Sequence, residues 1–379
     1  MNNNRILLVA SYPKSILDFR GDMMQKLIEK GLDVHVSAPN LSQYKKIIGG
    51  LNSLGVVSHN HIMKRASLNI ISEIQTIFSL IKIFNKLKPN FFFGYTAKPV
   101  IWGTLVASLF RVPNKYCLIS GLGYGFTTGD GYRRFLVRKI LIFMYKAALS
   151  RCSKIFFQNK DDLNLFYELN IISKNKPVSI INGSGINLIK YSYKPIIDMP
   201  DKVNFLMISR LLKDKGIHEY IKAASIISNR FSNIKFTLVG SLDPNPTGIK
   251  SYEIKKLERE GIIEWIEEVD DVRNLISESH IYVLPSYREG TPRTVLEAMS
   301  IGRAIITTDT PGCRETVIDG DNGFLVRPKS YKDLINSMEK FILNKDLIKI
   351  MGKRSREIAE IKYDVDDINE KIINEMNLN

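Results

Sequence analysis

The stretch "PSYREGTPRTVLEAMSIGRAIITTD", from Pro285 to Asp309, carries two carboxylates, Glu289 and Glu297, on either side of a Thr-Pro step. It follows directly on "IYVLPS" (281–286), a run apolar enough to be a buried strand. Glu289 therefore stands on the loop that leaves a strand's carboxyl end. Thr291 is a good N-cap and Pro292 suits the first helical position, so a helix is expected from there to about Ile301. Gly290 permits positive φ and lets a ligand approach the backbone. A helix N-terminus attracts anions, so a carboxylate beside it suits hydroxyls rather than phosphate. Two acids bracketing such a helix start match a ligand with phosphate in the middle and hydroxyls at both ends. A nucleotide sugar is such a ligand. Taken singly, each acid is equally an exposed helix-start residue favoured by the dipole.

A second constellation is "SRLLKDKGIHEY" (209–220). Arg210 ends a strand, and Lys215 precedes Gly216 and another helical pattern. Both cations are expected beyond strand ends, towards the crevice that holds Glu289, where they could neutralise a diphosphate without metal. One basic residue after a strand is ordinarily solvated surface; the two constellations together are more than that.

These residues need a scaffold that brings strand ends together, and the patterning supplies one. Apolar β-rich runs at 5–11, 33–39, 91–96, 115–120 and 154–159 alternate with segments of helical spacing. After Tyr191 the pattern restarts, with runs at 203–209, 234–240, 262–267, 281–286, 304–309 and 323–326. Such alternation implies parallel sheets covered on both faces. Two sets in series over 379 residues imply two doubly wound α/β domains, 1–190 and 191–379, the C-terminal helix of the second being free to cross back to the first, with ligand expected where the two sheets face each other.

The charge is unevenly spread. Residues 1–195 hold 27 Lys and Arg against 9 Asp and Glu, a net +18, whereas the whole chain carries +15. The excess points to an anionic partner, nucleic acid or membrane phospholipid, or to a basic solvated face. The segment 131–154 interleaves Arg133, Arg134, Arg138, Lys139, Lys146, Arg151 and Lys154 with large apolar residues, as a helix at a membrane interface does. The same pattern also describes a core-packed helix with a basic edge. No nucleic-acid-binding motif appears. No apolar run is long enough to span a bilayer, and no signal-peptide architecture is present. Cys117, Cys152 and Cys313, odd in number and far apart in the chain, form no disulfide framework, which fits a reducing cytoplasm.

"SRLLKDKG", "LVG" and "YVLPSYREGTPRTVLEAMSIGRAIITTDTPGCRETVIDGDNGFLV" resemble the C-terminal half of family 4 retaining glycosyltransferases, which have the GT-B fold of two Rossmann-like domains. The resemblance implies that Arg210 and Lys215 bind the donor diphosphate, Glu289 touches the transferred sugar and Glu297 holds the ribose hydroxyls. "YTAKPVIWG" (95–103) and "SGLGYGFTTG" (120–129) are similar to a subgroup that elongates lipid-linked bacterial saccharides, and imply acceptor-side roles for Lys98, Gly121 and Gly123. The expected partners are a UDP-sugar, an undecaprenyl-diphosphate-linked saccharide and an anionic membrane surface, without nucleic acid, cofactor or metal. The expected location is the cytoplasmic face of the cell membrane.

Three other patterns carry less. "GLGYG" has G-x-G-x-G rather than dinucleotide-binding spacing, and "DVD" (364–366) sits away from any strand end. His59 and His61 are expected on a loop or strand edge, as surface residues. Two readings stay open beside the transferase: a nucleotide-sugar epimerase on the same fold, and a basic lipid- or nucleic-acid-binding module without catalysis.

Overall fold

The structure, a computed structural model, describes residues 4–64, 69–122, 126, 132–197, 201–243 and 247–378. The chain divides into two compact units. Unit 1 comprises Met1–Ser184 and Asp366–Asn379, and unit 2 comprises Gly185–Val365.

Unit 1 holds strands β1 (Arg5–Val9), β2 (Asp33–Pro39), β3 (Val57–His61), β4 (Phe91–Tyr95), β5 (Asn114–Ile119), β6 (Lys154–Phe157) and β7 (Val178–Ile180). They form a parallel sheet in the order β3-β2-β1-β4-β5-β6-β7. Its helices are α1 (Ser15–Glu29), α2 (Lys45–Ser53), α3 (Ile70–Leu87), α4 (Thr104–Leu109), α5 (Tyr132–Leu149) and α6 (Lys160–Glu168). Successive strand residues serve opposite faces: Ile6 and Leu8 join one core cluster while Leu7 and Val9 join another. Burial on both faces is why these strands read as unbroken apolar runs.

Unit 2 holds β8 (Val203–Ile208), β9 (Ile234–Val239), β10 (Glu264–Ile266), β11 (Ile281–Leu284), β12 (Ala304–Thr308) and β13 (Gly323–Val326). These are also parallel, in the order β10-β9-β8-β11-β12-β13. Helices α7 (Ile217–Arg230), α8 (Ser251–Arg259), α9 (Arg273–Ser277), α10 (Arg293–Ile301), α11 (Tyr331–Leu343) and α12 (Asp346–Lys362) cover it. Helix α13 (Val365–Glu375) then returns the chain to unit 1, whose core receives Ile368, Ile372, Ile373 and Met376. Ser179 Oγ donates to Glu375 at 2.8 Å, and Lys154 pairs with the same carboxylate at 2.7 Å.

The division at Ser184/Gly185 lies ahead of the 190/191 join expected from the restart of the strand pattern. Residues before β8 are tied to unit 2: Ile186 N donates to Tyr363 O at 2.8 Å, and the buried Arg303 donates to Lys194 O at 2.6 Å. One further proximity and one correction come from the sheet order. Cys117 and Cys152, far apart in the chain, meet at 2.8 Å between sulfurs as buried free thiols, because β5 and β6 are neighbours. His61 is not a surface residue. Strand β3 pairs with β2, and His61 is buried with its Nδ1 2.7 Å from Ser37 Oγ.

Burial pushes the His61 imidazole down to about 4, and its Nε2 has no hydrogen-bond partner. The folded value lies below the unfolded one of about 6.5, so the neutral ring is favoured by folding and the stabilisation is complete above the unfolded value. It is lost as pH falls from about 6.5 towards 4, where the unfolded chain takes up the proton first. A shift of this size corresponds to stability on the order of 3 kcal/mol, lost in full only below the folded value. Each unit holds one tryptophan, Trp102 and Trp265. In a Trp265→Phe variant, urea unfolding of unit 1 followed through Trp102 should therefore move to lower denaturant between pH 7 and pH 5. Burial also pushes His59 down to about 4, so an unchanged midpoint would mean that both rings are hydrated.

Candidate active site

In unit 2 the strand order reverses between β8 and β11. Loops leaving the carboxyl ends of two strands at such a point turn to opposite sides and open a crevice between them. Both sequence constellations fall on these two loops.

Past β8, Lys215 ends a single 3-10 turn, Lys213–Lys215, and Gly216 follows at φ 76°. A Cβ on Gly216 would lie 2.2 Å from Pro285 O, so the turn runs directly against the end of β11. That approach lets Lys215 Nζ form an ion pair with Glu289 Oε1, each side chain only 17% exposed. Ser286 Oγ donates to the same carboxylate oxygen at 2.7 Å and to Asp214 O at 3.3 Å. From the opposite side, Glu289 N donates to Pro311 O at 3.1 Å. A Cβ on Gly312 would lie 2.0 Å from Gly290 O, so this second loop also needs a glycine. Beneath it, burial and the Glu289 carboxylate push the Cys313 thiol up to about 11. Glu289 is thus clamped between the β8 and β12 loops.

Arg210, also past β8, takes a different partner: its Nη1 lies 3.0 Å from Asp243 Oδ2, on a side chain about half exposed. Tyr287 Oη donates to Glu219 at 2.8 Å, and Tyr287 N to Asp214 O at 2.9 Å, which ties the β11 loop to the turn bearing Lys215.

Helix α10 begins at Arg293. Pro292, expected as the first helical residue, is instead the N-cap, extended at φ −71°, ψ 109°, and Thr291, expected as the cap, lies one residue outside. The loop pinned at Glu289 and Gly290 reaches the helix one residue late, and Pro292 O accepts from Val295 N at 3.1 Å and Leu296 N at 3.3 Å. The helix ends at Ile301, with Gly302 left-handed behind it. Glu297 is 7% exposed. It accepts from Tyr191 Oη at 2.9 Å and Arg293 Nε at 3.3 Å, and Arg293 Nη1 donates to Gly185 O at 2.9 Å.

Unit 1 has its own reversal, between β1 and β4. Past β4, Thr96 has φ 69°, an outlier for a β-branched residue, and its Oγ1 donates to Ser11 Oγ at 2.8 Å at the end of β1. Lys98 precedes a π-turn, Pro99–Gly103, and pairs with Glu73 Oε1 while donating to Lys64 O at 2.7 Å. Trp102 Nε1 donates to Glu73 Oε2 at 2.6 Å. Gly121 follows β5 at φ 114°. Gly123 lies outside the described residues. Among the described residues no group of three or more His, Cys, Asp or Glu is placed to hold a metal ion.

Residues 5–159 match the family described as glycosyl transferase 4-like, and residues 194–358 match glycosyl transferases group 1. The two matches together cover most of the chain, and it is a glycosyltransferase. Over 373 residues the transferase is 28% identical to a Campylobacter jejuni protein, N,N'-diacetylbacillosaminyl-diphospho-undecaprenol alpha-1,3-N-acetylgalactosaminyltransferase, covering 95% of both chains. It is 25% identical to the Escherichia coli UDP-Gal:alpha-D-GlcNAc-diphosphoundecaprenol alpha-1,3-galactosyltransferase, over 76% of both. Its fold is similar to that of sucrose-phosphate synthase from Thermosynechococcus elongatus, with a TM-score of 0.77 at 16% identity over 98% of both chains. The architecture is therefore GT-B, two parallel-sheet Rossmann-like units.

Several partners in this candidate site went unread in the sequence. Ser286 lies three residues before Glu289, and Arg293 lies four before Glu297, a spacing that puts both on one helix face. Those two were within reach of pattern reading. Tyr191, 106 residues from Glu297, and Asp243, 33 from Arg210, carry no local signal.

Proposed function

We propose that this glycosyltransferase moves a hexose or N-acetylhexosamine from a UDP-sugar to an undecaprenyl-diphosphate-linked saccharide, with retention at the anomeric carbon. The observation that carries the reading is the Lys215–Glu289 pair at the β8/β11 reversal. It sets a cation for the diphosphate beside an acid for the sugar's hydroxyls, at the start of α10. Arg210, half exposed on the same loop, supplies a second cation. Gly290, Thr291 and Pro292 bring the backbone of the α10 start to the phosphate, and Glu297 holds the ribose. Rate enhancement then comes from stabilising charge on the departing diphosphate and from positioning. The two named relatives, whose substrates are diphosphoundecaprenol-linked, support the acceptor class. In unit 1, Lys98, Gly121 and Gly123 serve the acceptor.

Docking on the cytoplasmic face of the membrane follows from such an acceptor. No helix among the described residues is long and apolar enough to cross a membrane. Helix α5 supports surface binding: Arg138 and Lys139 are exposed beside exposed Phe135 and Ile140. The side chains of Arg133 and Arg134 lie outside the described residues.

The test is a panel of nucleotide sugars incubated with the enzyme, with and without an extract of undecaprenyl-diphosphate-linked saccharides. UDP should be released from one donor only when acceptor is present. Conversion of the donor to its epimer without acceptor would replace the transferase reading with the epimerase, and acceptor-independent UDP release would remove the acceptor class.

A further inference from the structure

Large apolar side chains in solvent are concentrated on one helical layer of unit 1. Ile70, Ile71, Ile74 and Phe78 of α3 are 46–75% exposed. Their spacing makes a single stripe along the helix, and the opposite stripe, with Leu80, Phe84 and Leu87, is buried in the core. Helix α4 packs against both α3 and α5, so the three helices form one layer. Leu109 at the end of α4 and Phe143 on α5 are also exposed, at 68% and 73%. A run of large apolar side chains exposed along one helix face marks a docking face.

The charges of the layer say what docks. Helices α3, α4 and α5 together contain one acidic residue, Glu73. Its carboxylate is held by Lys98 and by the Trp102 indole. Lys82, Lys86, Arg138, Lys139 and Lys146 are exposed on the same helices. An apolar stripe in a helical layer whose exposed charges are cationic, with the layer's only acid neutralised, is complementary to a bilayer interface with anionic headgroups.

We propose that the Ile70–Ile71–Ile74–Phe78 stripe of α3 inserts into the lipid interface and is the apolar anchor of the enzyme. The proposal rests on the reading that unit 1 docks on a membrane, and it assigns the two components of docking to different helices. Helix α5 attracts the anionic surface through charge, a salt-screened effect. Helix α3 holds the protein there by burying apolar area, which salt does not screen. The Lys98–Glu73 pair clips the first turn of α3 to the π-turn at the end of β4, so the anchor is joined to the segment that carries Lys98.

The experiment is sedimentation of the full chain with phosphatidylcholine vesicles, with and without phosphatidylglycerol, at low and high salt. A variant combining Ile70→Gln, Ile71→Gln, Ile74→Gln and Phe78→Ser should partition about 30-fold more weakly or worse under every condition, including high salt. A variant combining Arg138→Gln, Lys139→Gln and Lys146→Gln should lose mainly the salt-sensitive part on phosphatidylglycerol. Phe78→Trp, which keeps the stripe apolar, should add blue-shifted emission on vesicle binding that brominated acyl chains quench. If the α3 variant, folded by circular dichroism, partitions like the wild type, or if the Phe78→Trp emission is not quenched while the protein binds, the anchor is overturned and docking through α5 stands. If the wild type binds neither vesicle type, both fall. Concentration-dependent dimerisation abolished by the α3 variant would show that a second copy covers the stripe, and would also overturn the proposal.

Discussion

Lys215→Ala should lower kcat by on the order of 10²-fold and weaken donor binding as well, and Glu289→Gln should lower kcat with a smaller effect on donor KM. The asymmetry follows from the pair itself. With both side chains 17% exposed, removing the ammonium leaves a carboxylate with one fewer neutralising partner beside the place where a diphosphate must bind. Glu289→Gln instead leaves a cation, which a diphosphate can still use. The two substitutions should not be additive: a double-mutant cycle should give a coupling on the order of 1–3 kcal/mol, because the residues touch. Arg210→Ala belongs in the same series. Its partner Asp243 is reached from a half-exposed side chain, so activity should fall by on the order of 10²-fold while the unfolding midpoint hardly moves. Initial rates against donor concentration, beside urea unfolding, check all three. Near-wild-type kinetics for Lys215→Ala and Glu289→Gln in folded protein would place the reaction elsewhere.

Glu297→Gln is expected to raise donor KM about tenfold or more with kcat changed little, since a neutral amide accepts the ribose hydroxyls less strongly than a carboxylate. A purely structural role has to be separated from this, because Glu297 is buried and already accepts from Tyr191 Oη and Arg293 Nε. Tyr191→Phe is the control. It removes one hydrogen bond to the carboxylate and should cost about 1 kcal/mol of stability with donor KM unchanged. If Glu297→Gln and Tyr191→Phe both lower stability and neither moves KM, Glu297 is a tether between α10 and the segment around Tyr191, and the ribose contact is wrong.

Much of the architecture was legible because parallel strands buried on both faces cannot hide. "ILLV" (6–9) and "IYVL" (281–284) stay hydrophobic at every position, since each side chain enters a core on one side or the other. The elements that escaped reading are edge strands. β3 is "VSHNH" and β7 is only "VSI", both at the margin of the unit 1 sheet, where one side lacks a strand neighbour and polar residues are tolerated. The same edge explains His61, whose buried place depends on β2 rather than on any local pattern.

For the site, the residue types and their offsets within a loop or helix were determined by the chain alone. Glu289 and Glu297 flank the α10 start because both belong to one continuous strand–loop–helix segment. Which side chains meet was decided by the order of strands in the sheet. Lys215 and Glu289 are 74 residues apart and pair because β8 lies beside β11 and Gly216 lets the two loops touch. The one-residue delay of α10 comes from contacts with Pro311 and Gly312, past another strand. The helical layer of unit 1 divides in the same way. The basic character of α5 is a property of its own sequence, whereas the apolar stripe of α3 became visible only once packing had chosen which side of that helix to bury. Composition and spacing act along the chain and are present before folding. Pairing and exposure are set by distances between segments that only the assembled sheets bring together.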